Sequence, residues 1–264
     1  MEELCGVLND AVAVVPQGKV FLRRLFALLA WARTRRSQLP VARRPFLVVD
    51  IHPPFRADLR WWRRFFRLFN GTRRMVDKND PLPLRPHSHL ESSDASDLAV
   101  AGVEHTLGEF WTSDFQTTLS CYHKDHACIG LREMLAICIS CGMWGSAWAS
   151  RHVLLLCDNM SDVYSVRRSR SQKDSIQHLI RVVAYLGLLH DFTFEIEWIA
   201  SAENELADLA TRVPLSEFLQ TCSHLGLRHR PLEWVPPHSA DPDWEETLAV
   251  QVLSSLERRL HLPQ

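Results

Sequence analysis

Long apolar runs are missing from this chain of 264 residues. No segment approaches the roughly 20 consecutive apolar residues that span a bilayer, so no membrane partner is expected. The start, MEELCGVLNDAVAVVPQGK, lacks a basic stretch followed by a long apolar run, and the expectation is an intracellular protein, cytoplasmic or nuclear. A disulfide framework is also missing from the pattern: seven cysteines at irregular spacing do not suggest one, and reduced thiols are expected. Cys121, His123, His126 and Cys128 crowd into eight residues, without the longer loop that usual zinc spacings place between ligand pairs. Cys138 and Cys141 fall inside a helical pattern and read as small core residues. No internal repeat is present, which excludes a repeat architecture.

What is present describes a globular protein. Hydrophobic residues make up 46% and charged residues 23%, enough for one large domain or two modest ones. The net charge of −1 hides an asymmetry: residues 1–75 carry 15 Lys/Arg against 5 Asp/Glu, whereas residues 76–264 carry 15 against 26. A basic N-terminal part could attract a polyanion, and an acidic remainder could concentrate carboxylates.

Residues 20–36 predict a helix with Phe21, Leu22, Leu25, Leu28, Leu29 and Ala32 on its apolar face. Residues 46–50 read as a short extended piece. A second helix follows Pro54, with Phe55, Leu59, Trp62, Phe66 and Phe69 as one stripe and Asn70-Gly71 as its stop. Arg60, Arg63, Arg64 and Arg67 occupy much of the remainder and could grip a nucleic-acid backbone, though such an aromatic stripe is more often plain core. Three prolines in residues 76–91 mark a boundary, giving a helical basic module at 1–78, a linker at 79–91, an α/β domain at 92–214 and a tail at 215–264 with helical segments. In the α/β part, strands are expected at 97–105, 108–115, 153–157 and 192–199. Helices are expected at 131–148, 175–189 and 203–212, implying a mixed sheet flanked by helices.

The strand HVLLLC ends directly on Asp158 and Asn159. A carboxylate at the end of a buried strand is costly unless something compensates it. Asp158 either caps the following helix or holds a metal ion. Three more acids stand beside apolar runs: Asp94 at the start of the first strand, Glu133 in the first turn of an apolar helix, and Asp208 on a short helix, with Asn204 on the same face. Each has a structural reading; Asp208, for instance, could pair with Arg212 at i,i+4. Clustered, they would repel one another unless a hard divalent cation neutralised them, which makes magnesium the natural partner.

The order SSDAS, LREMLAI, LLLCDN and NELADLATR resembles the Asp-Glu-Asp-Asp pattern of type 1 ribonuclease H domains, and more narrowly that of DIRS-type retrotransposons, which carry a tyrosine recombinase. Upstream, LCGVLNDAVAVVPQGKVFLRRLFALLA and FRADLRWWRRFFRLFNG resemble the segment joining polymerase to ribonuclease H in those reverse transcriptases, so the likeness covers roughly residues 4–214. The resemblance implies a ribonuclease H-like five-stranded mixed sheet behind a thumb- or connection-like module. It further implies an endonuclease for the RNA strand of RNA–DNA hybrids using two Mg2+ ions, with Mn2+ as a substitute. Asp94, Glu133, Asp158 and Asp208 would be its catalytic metal ligands. Arg60, Arg63, Arg64, Arg67 and Asn159 would be nucleic-acid contacts.

The sequence departs from the family in two places. The residues before Asp94 (His89, Leu90, Glu91, Ser92, Ser93) are polar apart from Leu90, where the family has an extended apolar strand. Trp198 stands where a His-x-Pro-Gly segment would supply a histidine that is thought to assist proton transfer or product release. No Tyr-x-Asp-Asp is present, so the chain is not a polymerase as given, and its tail has no recombinase signature. It looks like the C-terminal part of a retroelement protein, with the missing polymerase part as a possible partner. Retention of all four acids favours an active nuclease. Trp198 and the polar lead-in favour a catalytically inactive nucleic-acid-binding module or relic.

Overall fold

The computed structural model describes residues 2–12, 15–68, 87–114, 128–241 and 243–261. The chain divides into two compact units, Met1–Pro81 with Ala249–Gln264, and Leu82–Leu248.

In the first unit, α1 (Glu2–Ala11) leads to a 3-10 turn (Pro16–Leu22), α2 (Arg23–Gln38), a second 3-10 segment (Val41–Phe46) and α3 (Pro53–Leu68). Of the expected extended piece at 46–50, Phe46 instead closes the 3-10 segment that contains Pro45, Leu47 is extended, and 47–50 form no helix or strand. The buried face of α3 is Asp58, Trp61, Trp62 and Phe65, with Phe66 exposed. This i, i+3, i+4, i+7 set lies about one residue round from the expected stripe. Phe21 stacks on Trp61 at 4.0 Å and Trp61 on Phe65 at 5.0 Å, so the aromatics of α3 form core. Phe69, Asn70 and Gly71 lie outside the described residues.

The second unit is α/β. Strands β1 (His89–Ala95), β2 (Ala99–Glu104) and β3 (Glu109–Asp114) come first. Then follow α4 (Ile129–Trp144), β4 (His152–Cys157), α5 (Met160–Arg167), α6 (Asp174–His190) and β5 (Thr193–Trp198). The last elements are α7 (Glu205–Arg212), α8 (Leu215–Leu225), β6 (Arg228–His229) and α9 (Trp244–His261), of which α9 starts in this unit and runs on into residues grouped with the first. Among the described residues the sheet has six strands in the order β5-β4-β1-β2-β3-β6, not the expected five; the sixth is a two-residue strand parallel to β3. β1 pairs antiparallel with β2 and parallel with β4, and β4 pairs parallel with β5, so the sheet is mixed.

A second correction concerns Asp94. It does not begin the first strand; it stands near the end of β1, which lies in the middle of the sheet although HLESSDA contains one strong hydrophobe. Glu91, Ser92, Ser93 and Asp94 are all buried. Pairing on both sides, rather than side-chain hydrophobicity, holds this strand.

The two faces of the sheet are covered differently. Ala101, Val103 and Phe110 pack against Ala207, Ala210, Phe218 and Cys222 of α7 and α8. On the other face lies α4, apolar nearly all round, with α6 against it; Cys138 and Cys141 are buried there as expected. Close approach of α4 requires Gly102 on β2. A Cβ there would stand 2.3 Å from Ser140 Oγ and 2.6 Å from Trp111 Nε1, which hydrogen-bond each other at 3.1 Å. Gly102→Ala is expected to destabilise the protein by about 2–3 kcal/mol, read as a lower urea midpoint with an unchanged m-value. No helix among the described residues is long and apolar enough to cross a membrane.

Candidate active site

The register of the parallel pair brings the first two acids together. Ser92 stands opposite Leu156, and the same offset carried two residues further sets Asp94 level with Asp158, at the C-terminal ends of adjacent strands. Asp94 points to the α7 face, as its partner Ala101 does, and Thr211 Oγ1 donates to its Oδ2 at 2.7 Å. Asp158 is half-buried; Ser201 Oγ donates to its Oδ2 at 2.6 Å, and Trp198 Nε1 donates to its main-chain oxygen at 2.9 Å.

Asp158 is not a helix cap. Asn159 caps α5, its side chain accepting from the backbone N–H groups of Ser161 and Asp162. The capping explanation for an acid after a buried strand thus belongs to the next residue, and Asp158 stays available.

Glu133 comes from the opposite face. It lies in the second turn of α4, not the first, because the helix begins two residues earlier than expected, at Ile129. It is buried, Oε2 has no hydrogen-bond partner, and the Ala95 N–H donates to its carboxyl. Burial pushes its pKa up to about 9, with the charges of Asp94, Asp158 and Asp162 adding to the rise. Ligand atoms of Glu133, Cys157 and Asp158 all lie within 4.8 Å of one another.

Asp94 is also held above its ordinary value, first by burial and then by Asp158 and Asp208, with Thr211 and Arg212 acting in opposition. Asp208 completes the group from α7, and Arg212 Nε donates to its Oδ1 at 2.7 Å, the i,i+4 pair legible in the sequence. Arg212 is also influenced by Asp94 and Asp158. Asp94 thus feels Asp158 and Asp208, and Glu133 feels Asp94 and Asp158, whereas no interaction links Glu133 with Asp208 directly. Two hydrogen bonds lock α7 over β1: Asn204 Nδ2 donates to Ser93 O at 2.9 Å, and Ser96 Oγ to Thr211 O at 3.0 Å.

Other residues of the site escaped the sequence reading. Asp162 is fully buried, neither carboxylate oxygen has a hydrogen-bond partner, and desolvation raises its pKa to about 7. In sequence it is an unremarkable acid in a helix's first turn. Thr211, inside NELADLATR, and Ser201, three residues after Trp198, orient the aspartates, yet as small polar residues neither announces that role.

The basic residues belong to the other unit. Arg60 and Arg63 are exposed on α3, Arg64 is half-buried, and the side chain of Arg67 lies outside the described residues. Cys121, His123 and His126 lie outside them as well, while Cys128 precedes α4 and Lys173 Nζ donates to its Sγ at 2.6 Å. No family model matches the chain, and no curated protein matches it in sequence.

Proposed function

We propose that the second unit is a ribonuclease H-like domain and that the chain is a divalent-cation-dependent nuclease cutting the RNA strand of RNA–DNA hybrids. The observation that carries this reading is the grouping of Glu133 with Asp158 within 4.8 Å, with Glu133 Oε2 buried and unpartnered, beside an Asp94 that feels the charges of Asp158 and Asp208. The mixed sheet and the order of acids along the chain agree with the resemblance to type 1 ribonuclease H domains.

The donor set fits magnesium. Four carboxylates offer hard oxygen ligands, and the raised pKa values of Asp94 and Glu133, to which neighbouring carboxylates contribute, are relieved by positive charge. Asp94, Glu133, Asp158 and Asp208 would hold two Mg2+ ions, with Mn2+ as a substitute. When bound, such ions supply a water of lowered pKa and charge stabilisation for the leaving oxygen of a phosphodiester.

The chain's own residues supply alignment. Thr211 fixes the rotamer of Asp94, Ser201 that of Asp158, and Asn204 ties the helix carrying Asp208 to the strand carrying Asp94. Trp198 braces the backbone of Asp158 from the position where the family has its histidine, so it offers orientation but no proton. Arg60, Arg63, Arg64 and Arg67 would add salt-dependent affinity for the hybrid, and Asn159 a contact beside the acids.

A second reading is favoured by Arg212, whose guanidinium already neutralises Asp208: a module that binds nucleic acid without cutting it. A hybrid labelled on its RNA strand separates the two. Cutting in Mg2+ that stops in EDTA is the expected outcome. Salt-sensitive binding with no cutting by folded protein would establish the second reading.

A further inference from the structure

At the opposite end of the parallel strands from the acids, three metal-ligating side chains meet. His87 lies just before β1, His152 opens β4 and Glu195 lies in β5. One ligand atom from each falls within 4.8 Å of the others. His87 Nε2 is 3.2 Å from Glu195 Oε2, and the rings of His87 and His152 stack at 5.0 Å with 25° between their planes. The backbone beneath them is fixed: the Ser88 N–H donates to His152 O at 2.9 Å, and Ser88 Oγ reaches the same oxygen at 3.1 Å.

We infer that His87, His152 and Glu195 form a zinc site that pins the segment entering β1 to the first residues of β4 and β5. Two imidazoles and one carboxylate are a donor set for a borderline divalent ion, whereas magnesium prefers oxygen alone. The three donors come from segments far apart in sequence, so they converge because of the fold. His152 Nδ1 lies 3.0 Å from Thr193 Oγ1, the kind of outer contact that orients a metal-binding imidazole. With bonds of about 2.0–2.1 Å, tetrahedral zinc sets its donors about 3.3 Å apart, a spacing that His87 and Glu195 already match at 3.2 Å. The side chains of His87 and Glu195, 25% and 39% exposed, have room to adjust to the ion. Three protein ligands leave a fourth position for water. The site shares no residue with the carboxylate cluster and does not depend on the nuclease reading.

The test uses the full chain, stripped with EDTA, dialysed and held in excess Mg2+ to occupy the carboxylates. Zn2+ is then titrated by calorimetry and thermal shift, with Co2+ as a visible-absorption probe. The expected result is one zinc equivalent, a midpoint raised by about 5 °C at saturating Zn2+, and a Co2+ spectrum of low-coordinate type. All three should be lost in His152→Gln and in Glu195→Gln and kept in a His123→Ala/His126→Ala double variant. Glu195→Gln carries the test if His152→Gln does not fold, since the side chain is on the surface. Failure of the wild type to bind zinc, or equal binding by the two site variants, would overturn the inference. Loss only in the His123/His126 variant would do the same, by assigning the zinc to the segment at 121–128.

Discussion

Asp158→Asn is expected to lower cation-dependent cleavage of the hybrid's RNA strand by roughly a thousandfold or more while leaving the protein folded. The substitution keeps the size of the side chain and an acceptor for Ser201 Oγ, and it leaves the backbone contact from Trp198 untouched. It removes one negative charge from a group in which Asp158 raises the pKa of both Asp94 and Glu133. Without a cation that charge is a cost, so the variant should melt at the same temperature as the wild type or higher in EDTA. Loss of cutting together with unchanged or raised apo stability is the signature of a ligand kept for chemistry rather than for folding. A variant that cut as well as the wild type would remove Asp158 from the site. One that lost cutting only because it melted early would leave Asp158 a structural residue.

Glu91→Gln is expected to stabilise the protein by about 3 kcal/mol at pH 7. Glu91 is fully buried in β1, directly opposite Glu104 of β2, and burial together with that neighbour raises its pKa from 4.5 to about 8, against help from the hydroxyls of Ser140 and Ser93. Glu104 has its own partners in His89 Nδ1, Trp148 Nε1 and the Leu107 N–H. Below pH 4.5 the carboxyl is protonated in both states and costs nothing. As pH rises from 4.5 towards 8, the unfolded chain releases the proton and the folded chain keeps it, so stability falls by about 1.4 kcal/mol per pH unit from this group. Above 8 the loss levels off. Glutamine is neutral throughout, so denaturant titrations at pH 5.5 and 7.5 should show a smaller pH dependence in the variant. Equal slopes in the two proteins would mean that Glu91 is ionised and paired in the folded state.

Several features of the architecture were legible because they rest on apolar periodicity. The run from Val153 to Cys157, the helix after Cys128 and the strand–helix alternation after it follow directly from that pattern, although that helix ends at Trp144 and not at the expected 148. The central strand was not legible in that way. β1 is held by backbone pairing to two neighbours, and its buried Glu91, Ser92, Ser93 and Asp94 give no hydrophobic signal. β6 is two residues long, too short for any pattern. At the site, the i,i+4 spacing announced the Asp208–Arg212 pair. The burial of Asp162 could not be read, because it depends on where α5 sits against α4 rather than on the residue's neighbours in sequence. His87, His152 and Glu195 are likewise joined only by strand register.

The central claim is that the four acids form a divalent-cation site. Anomalous diffraction from crystals soaked in Mn2+ tests it most directly. Manganese peaks bounded by Asp94, Glu133, Asp158 and Asp208 are expected, with Arg212 displaced from Asp208. Saturating Mn2+ with no peak there, and Arg212 still paired to Asp208, would contradict it.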